Sequence, residues 1–150
     1  MDHSMKAGEL FVKGMNCAQA VAVAFCDVTG MEPAYAARLA SSFGGGMGRL
    51  REVCGAVSGM LLVAGHLYGY AESGEGDVNK KRHYALVQEL AGSFRDQCGS
   101  LICRELLDNP PSDPNPSPRT ADFYRDRPCA RYVMTAARIL DAYIEAHPLG

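Results

Sequence analysis

The 150-residue sequence contains no tryptophan, and its net charge of −2 is not gathered into a basic stripe. Without a cationic face, an ordinary nucleic-acid-binding module is excluded. No stretch alternates apolar and polar residues for the length of a strand, and no segment repeats, so neither a sheet nor a solenoid is indicated. The first ten residues lack the apolar core of a signal peptide, which makes the cytoplasm the expected location, where thiols stay reduced. No Cys-x-x-Cys pair is present, excluding a thioredoxin-type motif and a zinc ribbon. Covalent haem attachment and ferredoxin-like cluster spacing are missing for the same reason. Long apolar runs are also scarce. The single one, Val53 to Tyr70, has no Lys, Arg, Asp or Glu, but it holds four glycines and His66. A spanning helix needs about 20 apolar residues, so this run reads as a buried helix with no membrane span.

What remains is helical. The hydrophobic fraction is 47%, and a chain of this length forms one domain with its own core. Helices are expected over residues 4–13, over 17–27 ending near Gly30, from Pro33 to about Phe43, and over 51–70. Further helices are expected over 78–97, 101–107 and from about 127 to 146. Asn16 with Gln19 makes a capping-box pattern ahead of the second helix. Pro33 suits a first turn, and Ser100 is the expected cap of the 101–107 helix. In the 78–97 segment, Tyr84, Val87, Leu90, Ala91 and Phe94 fall on one face, and Tyr132, Ala136, Ile139, Leu140 and Tyr143 do so in the last helix. Residues 108–120 hold five prolines and read as an extended surface loop. The fold class is a single-domain all-α bundle packed around a central helix at about 51–70. Gly44, Gly45, Gly46 and Gly48 form a sharp turn before it. Gly55 and Gly59 share one face, which serves either internal packing or a homodimer.

Six cysteines in a reducing compartment need a reason. Cys17 follows a capping Asn, Cys54 lies within a turn of the glycine loop, Cys103 is three residues after Ser100, and Cys129 follows Pro128. All four sit in or near first turns, where unpaired N–H groups favour a thiolate. Arg49 and Arg51, Arg104, and Arg127 and Arg131 are their neighbours in sequence. Cys26 is nine residues after Cys17, about 180° round the helix, and Cys98 is at a helix C-terminus. Both are read as incidental.

Several motifs resemble one family. They are Asn16-Cys17-Ala18-Gln19-Ala20-Val21, Phe43-Gly44-Gly45-Gly46-Met47-Gly48, Cys54-Gly55-Ala56-Val57-Ser58-Gly59 and Gly99-Ser100-Leu101-Ile102-Cys103-Arg104-Glu105-Leu106, followed by Cys129. In this order they resemble the C_GCAxxG_C_C family, over about residues 8–145. The family shorthand writes Gly-Cys-Ala where this chain reads Cys54-Gly55-Ala56. The resemblance implies a redox-active protein whose cysteines are Cys17, Cys54, Cys103 and Cys129.

Four cysteines remote in sequence can act as dithiol pairs or as one S₄ metal site assembled in three dimensions. The leading expectation is a thiol–disulfide or electron-transfer accessory protein. In it Cys54 attacks, Cys17 or Cys103 resolves, and the partner is a redox protein or a small thiol. The rival is a non-catalytic bundle binding zinc or an iron–sulfur cluster; no cofactor is assigned, and whether the chain is an enzyme stays open. A third reading is a binding module whose cysteines only pack and whose glycine loop at 43–50 holds a small anion. That loop lacks the Gly-x4-Gly-Lys-Ser/Thr pattern. His66 is expected to be a core or interface histidine making one hydrogen bond. His3 and His147 lie near the ends of the sequence and carry no role.

Overall fold

The computed structural model describes residues 2–149. The chain runs as α1 (Ser4–Val12), α2 (Cys17–Ala24), α3 (Cys26–Thr29), α4 (Pro33–Ala40), α5 (Gly55–Tyr68), α6 (Val78–Cys98), α7 (Cys103–Leu106), α8 (Ala121–Asp126) and α9 (Cys129–Ala146). No strand forms among the described residues. A lone antiparallel bridge joins Val53 to Ile102. No described helix is long and apolar enough to cross a membrane.

Local chemistry explains most boundaries. Asn16 and Gln19 close the capping box, with Gln19 N donating to Asn16 Oδ1 at 2.9 Å and Asn16 N to Gln19 Oε1 at 3.1 Å. The second helix breaks at buried Phe25, resumes as α3 and ends at left-handed Gly30. Pro33 occupies the first turn of α4, as expected. The central helix begins at Gly55 rather than 51, because Arg51 still belongs to a left-handed turn and residues 52–54 pair with 101–103. There Cys54 N donates to Leu101 O at 2.7 Å and Cys103 N to Glu52 O at 2.6 Å. Ser100 is not the N-cap of α7; that place is taken by Ile102. The Ser100 hydroxyl instead accepts from Ile102 N. The short helix α8, capped by Thr120, lies in a region where no helix was expected.

Helix α5 is the centre. Its residues Ala56, Val57, Met60, Val63 and Ala64 are buried against α2, α6 and α9. The Gly55–Gly59 face is used internally. A Cβ at Gly59 would stand 2.6 Å from Ala18 O, and one at Gly55 would stand 3.0 Å from Cys17 Cβ. The missing side chains let α2 close onto α5. The expected inner face of α6 needs correction: Leu86, Leu90 and Phe94 are buried at spacing four, whereas Tyr84 is 54% exposed. Leu86, not Tyr84, lies on the side of α6 that meets α5 and α9, one turn before Leu90 and two before Phe94. In α9, Tyr132, Ala136, Ile139 and Leu140 face in as expected, and Tyr143 is half-buried.

Candidate functional site

Four chain segments bring their cysteines to one place. Cys17 opens α2, Cys54 is the N-cap of α5, Cys103 opens α7 and Cys129 opens α9. All four line a single cavity of about 220 Å³. The close approach of α2 to α5 sets Cys17 beside the start of the central helix, and the pairing of 51–54 with 101–104 sets Cys54 and Cys103 at adjacent helix starts. All six cysteines are free thiols. Cys26, whose thiol donates to Ala22 O at 3.9 Å, and Cys98 lie outside the cavity.

The glycine turn builds one wall. Gly45, Gly46, Met47, Gly48, Arg49 and Arg51 all have φ between 57° and 70°. This left-handed turn is closed by Arg51 N donating to Gly45 O at 3.1 Å and Glu52 N to Gly46 O at 2.9 Å. A Cβ at Gly46 would meet Glu52 N at 2.7 Å and Cys103 Cβ at 2.8 Å, so the turn packs directly under Cys103. Left-handed backbone at a non-glycine residue is costly, and here it aims two arginines at the site.

Arg49, Arg51, Arg119 and Arg127 all line the cavity, and among the described residues no carboxylate does. Arg51 is 4% exposed. Its Nε donates to Pro111 O at 2.9 Å and its Nη1 to Cys103 Sγ at 3.7 Å. Its Nη2 is buried without a partner. Arg119 is held over the rings of Phe11 and Phe123 and donates to Phe11 O and Met15 O. Arg104 and Arg131, neighbours of the cysteines in sequence, turn elsewhere. Arg104 pairs with Glu52 at 3.0 Å, and Arg131 lies over the ring of Tyr132. No sequence signal marks Arg119, which comes from the end of the proline-rich segment.

The thiols differ in acidity. Burial pushes Cys54 up to about 12, against the opposing effect of hydrogen bonds from the Ala56 and Val57 amides. Burial also raises Cys103, with Arg51 opposing it. Cys17 is raised by its hydrogen bond to Cys129 and by burial, so it keeps its proton. Cys129 is lowered, by the hydrogen bond from Cys17 and then, against burial, by Arg127, Arg51 and Arg119. Its place at the start of an 18-residue helix acts in the same direction. Among the described residues, no group of three or more His, Cys, Asp or Glu side chains is arranged to hold a metal ion.

The histidines fall outside the cavity. His66 is exposed, not core, and its ring contacts Thr29 O at 2.8 Å. His3 is buried, contrary to the reading of it as a chain-end residue without a role, and it sits between Asp27 and Asp141.

Fold and site together define an all-α bundle in which four helix starts deliver thiols, and the segments between helices four arginines, to one cavity. The family model described as "Putative redox-active protein (C_GCAxxG_C_C)" matches residues 15–143, and the chain belongs to that family. Neither a curated protein nor a solved structure matches it.

Proposed function

We propose that the protein carries out thiol–disulfide exchange with a small disulfide, with Cys129 attacking and Cys17 resolving. The observation that carries this reading is geometric: Cys17 and Cys129 open two helices onto one cavity that Arg51, Arg119 and Arg127 also line. Cys17, and then those arginines, favour the thiolate at Cys129, while Cys17 keeps its proton. Cys54, the sequence-based choice of nucleophile, is the poorer attacker, because its thiol is held near 12. Attack requires the thiolate.

In the first step the Cys129 thiolate bonds to one sulfur of the substrate disulfide. The substrate S–S bond breaks, and the first leaving thiolate takes the proton of Cys17. The Cys17 sulfur then attacks Cys129 Sγ, forming the Cys17–Cys129 disulfide and expelling the second thiolate, which takes its proton from solvent. The substrate gains two electrons and the cysteine pair loses two. Cys54 and Cys103 stay protonated and form the wall. A cytoplasmic location, where the pair would be returned to its dithiol form, accords with this chemistry.

Trapping tests it. In Cys17→Ser, a limiting amount of a small disulfide is expected to leave a mixed disulfide at Cys129 in peptide mass maps. The unaltered chain should yield the Cys17–Cys129 cross-link instead. An adduct found mainly at Cys54, or spread over Cys26 and Cys98, would remove the assignment.

A further inference from the structure

We propose that the cysteine cavity selects a small anionic substrate, with the buried Arg51 guanidinium binding a carboxylate or other oxyanion group while the substrate's sulfur meets Cys129. This rests on the exchange reading and names its substrate class. Three observations converge. First, Arg51 lines the cavity, is almost fully buried, and has two of its three nitrogens engaged, while Nη2 is buried without a partner. Guanidinium groups recognise oxyanions through paired N–H donors, and a buried donor without an acceptor is costly. Second, four of the chain's 15 basic residues line this one cavity, without an opposing carboxylate among the described residues, in a protein whose net charge is −2. Asp113, the acidic group nearest to them, is half-exposed and pairs with Arg49 only at 3.8 Å. Third, access is narrow. Cys54, Cys103 and Cys129 are 5–7% exposed, and Arg51 and Arg49 hold Pro111, Asp113 and Ser117 of the proline-rich segment beside the cavity. A folded protein's disulfide does not reach such a place; a small molecule does.

The glycine turn contributes in a way its sequence does not announce. It is not a cradle of amides before a helix, since α5 starts several residues later. Its part is to set Arg49 and Arg51 in left-handed backbone so that both side chains enter the cavity.

The test compares two disulfides with the full chain. One is 5,5′-dithiobis(2-nitrobenzoate), which carries a carboxylate on each ring; the other is 4,4′-dithiodipyridine, which is neutral. Each rate of Cys17–Cys129 oxidation is divided by the rate of the same reagent with 2-mercaptoethanol, an uncharged free thiol, which cancels intrinsic reactivity. The anionic reagent is expected to be favoured about tenfold, the size of one charge-assisted hydrogen bond. That preference should disappear in Arg51→Gln and shrink in Arg127→Gln. Circular dichroism checks helix content, and Arg127→Gln carries the comparison if Arg51→Gln does not fold. Equal normalised rates in the unaltered chain would overturn the anion site while leaving exchange intact. If neither reagent oxidises the pair, the exchange reading itself fails and the substrate class falls with it.

Discussion

At the scale of single residues, His3 is a second buried charge centre, separate from the thiols. Its Nδ1 is 2.6 Å from Asp141 Oδ1, its Nε2 is 3.0 Å from Asp27, and its ring stacks on Phe25 at 4.2 Å. Burial lowers its pKa, but the hydrogen bonds to Asp141 and Asp27 outweigh burial and the net shift is upward. A group whose folded pKa is raised contributes stability that is complete below its unfolded value of about 6.5 and is lost as pH rises through the folded value. Unfolding free energy from denaturant titrations should therefore fall on going from about pH 6 to about pH 8.5, by about 1–2 kcal/mol more in the unaltered chain than in His3→Gln. Cys129 titrates with the opposite sign, which is why the difference between the two chains is the quantity to read. Identical pH slopes would show that the imidazolium contributes nothing. The contrast between His3 and the cysteines shows what a residue pattern can convey. Cys17 after Asn16 and Cys129 after Pro128 carried a local signal, a helix start. His3 carried none, because its partners come from 24 and 138 positions away. The acidity order within the cysteine set was likewise hidden, since it depends on which sulfur meets Cys17 and three arginines.

Among the helices, the glycines of α5 separate two physical roles within one element. Gly59 is where α2 crosses closest, with Ala18 O, Ala18 Cα and Val21 Cβ all within 3.1 Å of an added Cβ. At Gly65 nothing lies within 4 Å. Gly59→Ala should destabilise the fold by about 1–3 kcal/mol through overpacking. It should also slow formation of the Cys17–Cys129 cross-link, because α2 carries Cys17. Gly65→Ala should stabilise by about 1 kcal/mol, the helix-propensity gain of alanine over glycine. Thermal or denaturant melts that ranked the two variants in the other order would mean that α2 does not rest on this face. The Gly-x3-Gly spacing itself was legible, as were the boundaries of α1, α6 and α9 and the start of α4 at Pro33, because apolar period and capping are short-range signals; α4 stops at Ala40, short of the expected Phe43, where the chain turns into Ser41–Phe43. Less legible was which face of α6 turns inward. Tyr84 and Leu86 are both apolar enough to qualify, and only the positions of α5 and α9 decide between them. The non-helical start of the central segment was hidden for a similar reason: Arg51 closes the glycine turn, and residues 52–54 find backbone partners in 101–103.

For the molecule as a whole, the proline-rich segment is the part whose role is set by distant contacts. Its five prolines keep it out of helix, and it does lack regular structure over 108–120. Composition gave no hint that it would stand beside the cysteine cavity. The anchors are arginine side chains gripping backbone carbonyls and a hydroxyl far along the chain. Arg49 Nε donates to Asp113 O at 2.8 Å and Arg49 Nη1 to Ser117 Oγ at 2.8 Å, while Arg51 Nε reaches Pro111 O. Any residue could supply those carbonyls, so no residue type marks them. The same arginines thus set the cavity's charge and hold the segment that borders it, and these two effects can be pulled apart experimentally. Arg49→Gln removes two hydrogen bonds and the Asp113 ion pair while leaving buried Arg51 in place. A broad-specificity protease should then cut within 108–118 several-fold faster than in the unaltered chain, since cleavage tracks local opening when reclosing is fast. Alkylation of Cys129 by a neutral reagent should rise in step, because the opened segment admits the reagent. Faster cleavage with unchanged alkylation would mean that the segment does not guard the cavity. Unchanged cleavage would mean that Arg49 does not hold the segment at all.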